Sequence, residues 1–314
     1  MNAVATAAVA ASDLEQYRRE LTGYCYRMLG SAVDAEDAVQ ETMLRAWRSL
    51  DRFEGRSALK SWLYRIATNV CFDSLNGREK RARPMDLGGP QEPILENLAE
   101  LPEVTWITPL PTPEEAAEQR ESLRLAFVAA LQHLPPKQRA ALILCEVLRW
   151  QATEAAELLE TSVASVNSAL QRARATLATA DVGAPAELDA DARALLERYV
   201  AAFESYDIDR LTELLHEDAI QSMPPYSLWL RGRDDIFTWW FGPGIGCKGS
   251  KMLPAQKSAN GLPAWGQYKP SPDGGYEPWA LQVVEISDGR IAELTFFLDT
   301  KTLFPLFGLP ERIA

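Results

Sequence analysis

The feature that most constrains this chain is a stretch with almost nothing to fold around. Residues 84–118 contain seven of the 20 prolines, eight acidic residues and no Lys or Arg. Proline removes backbone donors and breaks helices, and unopposed like charges repel, so the composition predicts an extended acidic linker without a packed core. The rest of the 314 residues must then fold as separate blocks, each burying its own apolar surface. Charge follows the same division: the formal net charge is -12, to which the linker contributes -8, residues 13–83 +2, 120–183 +1 and 184–314 -7. That balance excludes a uniformly basic surface for nucleic acid or membrane, while leaving room for a locally basic module.

Other classes fall away on composition. The longest stretches without Asp, Glu, Lys or Arg are 12 residues, short of the roughly 20 needed to cross a bilayer. Residues 1–12 are Ala-rich with no basic residue ahead of the apolar part, which argues against a secretory signal and for a disordered leader. Four cysteines at 25, 71, 145 and 247 form no CxxC pair, and with only two histidines they suggest neither a zinc site nor a disulfide framework. A reducing cytoplasm fits, and no metal or cofactor is expected. A His-based nucleophilic triad would have to use His133 or His216.

The first block reads as helices. Ala35, Ala38, Val39, Thr42, Met43, Ala46, Trp47 and Leu50 recur at three- and four-residue steps as one buried face, opposite Asp34, Asp37, Gln40, Glu41, Arg45 and Arg48. Ser57 then precedes Leu59, Trp62, Leu63, Ile66 and Val70, a second amphipathic helix that the serine could cap. The block ends in Arg78, Lys80, Arg81 and Arg83. In the second block a helix around 115–132 breaks at Leu134-Pro135-Pro136 and resumes through Leu148. Thr153 to Glu160, the turn Thr161-Ser162 and Val163 to Leu177 then form a helix-turn-helix, with Val163, Val166, Leu170 and Ala173 facing inward. The third block begins with helices at 188–206 and 208–216. It continues as strands punctuated by Asn260-Gly261, Asp273-Gly274-Gly275 and Asp288-Gly289, which makes it α+β. It holds 17 of the 28 aromatic residues, enough to line a cavity.

The runs Asp34-Ala-Glu-Asp-Ala-Val-Gln-Glu-Thr, Phe53-Glu-Gly-Arg-Ser and Ser61-Trp-Leu-Tyr-Arg-Ile-Ala-Thr-Asn resemble region 2 of the bacterial sigma-70 family, extracytoplasmic-function branch. Leu134-Pro-Pro-Lys-Gln-Arg and Ser162 to Arg174 resemble region 4 of the same family, in the right order and beyond a linker. Residues 187–314 look like a SnoaL-like domain, a curved sheet with packed helices. The resemblance implies a multidomain protein of two all-α modules, a region 2 bundle and a region 4 helix-turn-helix, followed by an α+β SnoaL-like domain. Its parts would be 13–83 for region 2, 119–180 for region 4, and a short linker at 181–186.

The function so implied is that of an alternative sigma factor and not an enzyme, with core RNA polymerase and promoter DNA as partners. By family position, Asp37, Gln40 and Glu41 would meet the polymerase. Arg56, Lys60, Tyr64, Arg65 and Asn69 would meet the -10 strand, with Arg78, Lys80, Arg81 and Arg83 on phosphates. Trp62 lies on the apolar stripe and reads as core, whereas Tyr64 points the other way and reads as the group that stacks on a base. Ser165, Ser168, Gln171, Arg172 and Arg174 would meet the -35 element. The turn departs from the family pattern in carrying Glu160-Thr161 where glycine is common, and a left-handed non-glycine there would cost about 1–2 kcal/mol.

The third block is expected to regulate, by docking on the sigma regions or by sensing a small-molecule ligand. The apolar tail 303–310 motivates the docking expectation, closure of the domain's own cavity being the alternative. The acidic linker could also lie across the basic end of region 2. The rival class is a small-molecule-metabolising enzyme fused to a DNA-binding region, with His216, Tyr206 and Asp207 as its nearest acid–base candidates.

Overall fold

The computed structural model describes residues 11–53, 58–112, 123–178 and 189–314. The chain forms two compact units, and it passes between them more than once: residues 1–81 and 125–182 make the first, 82–124 and 183–314 the second. The expected leader, apart from its last two residues, the short linker 181–186, the start of the 115–132 helix, Arg56 and Ser57 all lie outside the described residues.

The first unit is all-α among its described residues. It comprises α1 (Ala11–Glu15), α2 (Arg18–Leu29), α3 (Ala32–Ser49), α4 (Leu59–Leu75), α5 (Leu125–Gln132), α6 (Pro136–Leu142), α7 (Ala152–Leu158) and α8 (Val163–Leu177). Local chemistry sets the ends. Gly30 closes α2 in the left-handed region at φ 72°, where a Cβ would be strained. The Ser31 hydroxyl then accepts from the Asp34 amide at 3.2 Å to start α3. The residue before α4 is Ala58, which supplies no side-chain cap. Pro136 opens α6, where a missing amide costs nothing. The core joins α2, α3 and α4 through Leu21, Tyr24, Met28, Val39, Leu63 and Cys71.

The second unit carries α9 (Ala190–Ser205), α10 (Ile208–Leu214), α11 (Arg233–Phe241) and α12 (Thr300–Leu306). Its strands are β1 (Pro111–Thr112), β2 (Leu215–Ser222), β3 (Trp229–Arg231), β4 (Lys251–Pro254), β5 (Ser258–Ala259), β6 (Ala264–Pro270), β7 (Tyr276–Ser287) and β8 (Arg290–Phe297). Six of them form a sheet in the order β3-β2-β8-β7-β6-β4, antiparallel except for the parallel β2–β8 pair. The three expected turns are there: Asn260, Gly261, Gly274, Gly275, Asp288 and Gly289 all have positive φ. Leu294, Val284 and Phe296 on one sheet face pack with Tyr199, Phe203 and Trp240 from the helices. The aromatic surplus of this block thus goes into a packed cluster, in which Trp240 meets Phe203 edge-on at 5.4 Å.

Two expectations change here. The acidic, proline-rich stretch is not a free spacer over its described part: it is sewn to the second unit as a strap. The Gln91 amide donates to the Trp229 carbonyl (3.0 Å), Leu101 to Pro225 (3.0 Å), and Ser227 to Ala99 (2.8 Å). β1 pairs antiparallel with β5, and the Asn260 side chain accepts from the Leu110 amide at 2.7 Å. Of the strap's apolar groups Trp106, Ile107 and Leu110 are buried and Leu87, Ile94, Leu95 and Val104 exposed, while Glu92, Glu96, Glu100 and Glu103 stay exposed. The prolines remove donors, and the remaining amides are shared between short turns within the strap, as in Asn97 to Ile94 and Trp106 to Glu103, and the few stitches to the domain at Gln91, Leu101 and Leu110.

The apolar tail is not a free docking element either. Leu303, Phe304, Phe307 and Leu309 are buried, Phe304 meets Tyr268 at 5.2 Å, and the Tyr268 hydroxyl donates to the Pro310 carbonyl at 2.8 Å. The tail closes its own domain.

Candidate functional site

α3 presents two different faces. Ala35, Ala38, Val39, Thr42, Met43 and Ala46 are buried. Asp37 and Gln40 are exposed, and Glu41, half-buried, accepts from Arg45 Nε at 2.6 Å. Trp47 was expected inside but is 62% exposed, with Leu44 exposed one turn before it. The reason is angular: Trp47 stands about 100° round the helix from buried Ala46, which carries it off the core stripe and next to Gln40. A patch of acid, amide, indole and aliphatic groups therefore runs along one side of α3. Sequence reading found its polar members and missed Leu44 and Trp47, whose signal was a stripe too wide for one helix face.

α4 reverses another expectation. Tyr64 is fully buried, with its ring 5.2 Å from Tyr24 and 5.2 Å from Trp150. Its hydroxyl reaches Glu20 Oε2 at 3.5 Å, and burial, with Glu20 next, pushes the phenol well above its usual pKa. Tyr64 is a core residue. Trp62 keeps a half-buried ring tilted against Phe53 at 5.0 Å, so it is the aromatic of this helix with surface to offer. Sequence periodicity could not show this, because the group covering Tyr64 comes from the segment before α7.

The basic residues of this region already have partners. Lys60 pairs with Glu20 at 2.5 Å, and Arg65 lies 3.7 Å from the Glu157 carboxylate and donates to its carbonyl at 3.4 Å. Asn69 is exposed. Arg78 and Arg81 converge on one oxygen of Asp34, at 2.9 and 2.8 Å. Lys80 donates to the His133 carbonyl at 3.4 Å. Arg83, at the start of the strap, pairs with Asp86 at 3.1 Å. The pairs Lys60–Glu20 and Arg65–Glu157 are exposed, and such pairs contribute about 0–1 kcal/mol, so a phosphate can replace the carboxylate there at small cost; Arg81–Asp34 and Arg83–Asp86 are largely buried.

α7 and α8 form the helix-turn-helix. Ser162 caps α8 by accepting from the Ser165 amide at 3.1 Å. Glu160 does take the left-handed conformation, φ 51°. Val166, Ala169, Leu170 and Ala173 face inward, but Val163 is exposed, because the first turn projects past the body of α7. Ser165, Gln171 and Arg172 are exposed and Ser168 half-buried. Arg172 Nη1 donates to Ser168 Oγ at 2.6 Å, and Arg174 is paired with Glu146.

What joins these helices to α2 is a buried arginine. The carbonyls of a helix's last turn have no partner within it, and those of Arg27 and Met28 are taken by Gln132 and Arg139. Arg139 is 2% exposed, donates also to Gln132 Oε1 (2.6 Å) and to the Gln132 and Leu134 carbonyls (both 3.1 Å), and burial lowers its pKa to about 10. Positive charge at a helix C-terminus suits the dipole.

In the second unit the acid–base candidates hold the fold. The Tyr206 hydroxyl donates to the Trp240 carbonyl at 2.7 Å, and Asp207 caps α10 by accepting from the Arg210 amide at 3.1 Å. His216 lies on β2 rather than at a helix end, its Nδ1 accepting from the Asp218 amide at 3.2 Å. Among the described residues no group of three or more His, Cys, Asp or Glu is placed to hold a metal. No helix among them is long and apolar enough to cross a membrane.

Residues 14–81 match the family Sigma-70 region 2, residues 124–177 match Sigma-70, region 4, and residues 196–294 match the SnoaL-like domain. The chain is 46% identical over 310 residues to the ECF RNA polymerase sigma factor SigG of Mycobacterium tuberculosis H37Rv, covering 95% of this chain and 83% of that one. The chain belongs to the ECF RNA polymerase sigma factors. A second relative of this sigma factor is SigJ of the same organism, 28% identical over 296 residues, covering 90% and 89% of the two chains. The crystal structure of M. tuberculosis SigJ superposes with a TM-score of 0.61 at 22% identity, over 96% of this chain and all of that one, which shows a shared fold. The sigma factor therefore comprises regions 2 and 4 as one helical unit, and a SnoaL-like domain that carries the strap.

Proposed function

We propose that this sigma factor docks on core RNA polymerase through the exposed side of α3, with Asp37, Gln40 and Glu41 supplying polar contacts and Leu44 and Trp47 the apolar anchor. The observation that carries this reading is Trp47: an indole 62% exposed on a rigid helix beside a row of polar groups is the kind of residue that dominates a protein interface. The -10 strand would then run along Trp62, Lys60, Arg65 and Asn69, with Arg78, Arg81 and Arg83 exchanging carboxylate partners, and Lys80 the His133 carbonyl, for phosphates. Arg56 belongs with them by family position alone. Ser165, Ser168, Gln171, Arg172 and Arg174 would read the -35 element from α8.

In the free chain Arg65 is held by α7, and the ring of Tyr64 lies under Trp150. Reading a promoter with both regions thus involves parting α4 from α7, which makes polymerase, rather than free DNA, the partner bound first. The SnoaL-like domain regulates: it holds the strap that connects region 2 to region 4. Tyr206, Asp207 and His216 occupy structural positions, which favours regulation over the enzyme alternative.

Run-off transcription with purified core polymerase on a broad promoter panel tests the docking face. Specific transcripts are expected from the wild-type chain, with a loss of about tenfold or more in polymerase affinity for Trp47→Ala and no loss of folded protein. Unaltered transcription by Trp47→Ala together with Asp37→Ala would refute it.

A further inference from the structure

We propose that the second unit contains a binding site for an organic cation with an apolar body, in a cavity between the strap and the ends of β2 and β8. The cavity has a volume of about 630 Å³, within the range of small-molecule sites. Three aromatic side chains line it: Trp106 from the strap, Tyr226 from the loop after β2, and Phe297 at the end of β8. Trp106 and Phe297 are buried and form the inner wall.

The charged groups among the described residues at this cavity are of one sign. Glu100, Glu103 and Asp299 line it, and among the described residues that line it there is no Lys, Arg or His. Glu100 and Glu103 are exposed at the mouth, while Asp299 caps α12 by accepting from the Thr302 amide at 3.2 Å. An anion would be repelled here, and a neutral apolar molecule would gain nothing from three carboxylates. A quaternary or substituted ammonium gains from both, because its charge is attracted to aromatic faces and to the acids, while its alkyl or aryl body covers the inner wall.

The walls are fixed by backbone bonds rather than by side chains alone. The Leu101 amide donates to Pro225 at 3.0 Å, and the Leu298 amide to Pro224 at 3.0 Å, so strap and both strand exits are held in register around the space. An occupant touching Trp106 and Phe297 together would bind the strap and the sheet at once.

The test is calorimetric titration of the full chain with benzyltrimethylammonium, with benzoate and benzyl alcohol as anionic and neutral controls of similar size. Saturable binding of one ammonium per chain is expected, with the controls at least about tenfold weaker. The variant Glu100→Gln/Glu103→Gln/Asp299→Asn, whose Asn keeps the helix cap, should lose about tenfold or more in affinity. Glu92→Gln/Glu96→Gln, outside the cavity, should bind as wild type. Hydrogen exchange at residues 99–108 should slow on saturation. Equal binding of benzoate, unchanged affinity in the folded triple variant, or no binding at millimolar ammonium would each overturn the proposal. The charge controls on the unaltered chain decide it even if the variant does not fold. Binding is read without transcription, so this result stands apart from that of the docking face.

Discussion

At the residue scale, two positions set against their neighbours give the sharpest expectations. Glu160 adopts φ 51° in the helix-turn-helix, a conformation that costs a side chain with a Cβ about 1–2 kcal/mol. Glu160→Gly should therefore stabilise the first unit by about 1 kcal/mol, measured as a raised urea midpoint with unchanged slope. Tyr64 and Trp62 should separate cleanly. Tyr64→Ala removes a buried ring and should cost about 3–5 kcal/mol of stability. Trp62→Ala should leave thermal unfolding near wild type while reducing strand opening, seen as loss of permanganate-reactive thymines in the polymerase complex. If Trp62→Ala opens promoters normally, Trp62 only packs on Phe53.

At the element scale, α12 shows how an apolar tail finds its use. Phe304 is buried against Tyr268, so Phe304→Ala should destabilise the second unit by about 3–5 kcal/mol. Differential scanning calorimetry should show the fall in the transition of that unit and not in that of the helical one. Much of the architecture was legible in the sequence for a local reason. The 3.6-residue pattern of α3, the tight turn before α8 and the paired turn residues of the sheet are all determined within a few positions of where they act. What escaped was decided by distant partners. Tyr64 is buried by Trp150, the strap by the edges around Pro225 and Asn260, and the last turn of α2 by Arg139. No window along the chain contains both members of such a pair. The site was legible in the same measure: the polar docking residues and the outward side of α8 were readable, while Leu44 and Trp47 needed the helix in place.

At the scale of the whole molecule, regions 2 and 4 share one unit, and the segment connecting them belongs to the other. Removing residues 184–314 should thus leave the Gln91, Leu101 and Leu110 amides without their acceptors and the strap without its stitches to the domain. Limited proteolysis of a 1–183 chain should cut within 85–112, at sites protected in the full chain. Transcript yield should differ between the two forms; equal protection and equal yield would remove the case for regulation through the strap.

The strap has a mechanical side as well. Covalently it is the only thread between region 2 and region 4, and its usable length is a variable. Fully paid out, residues 82–124 would span about 150 Å, ample slack for two modules seated on separate promoter elements. Stitched along β3, β5 and the Pro224-Pro225 loop, the same thread becomes a short leash whose ends are set by the domain that holds it. On the proposed regulatory role, the SnoaL-like domain would act as a reel: each backbone bond it makes or releases would change how far apart the two reading heads can stand, and hence which spacings between promoter elements they can bridge.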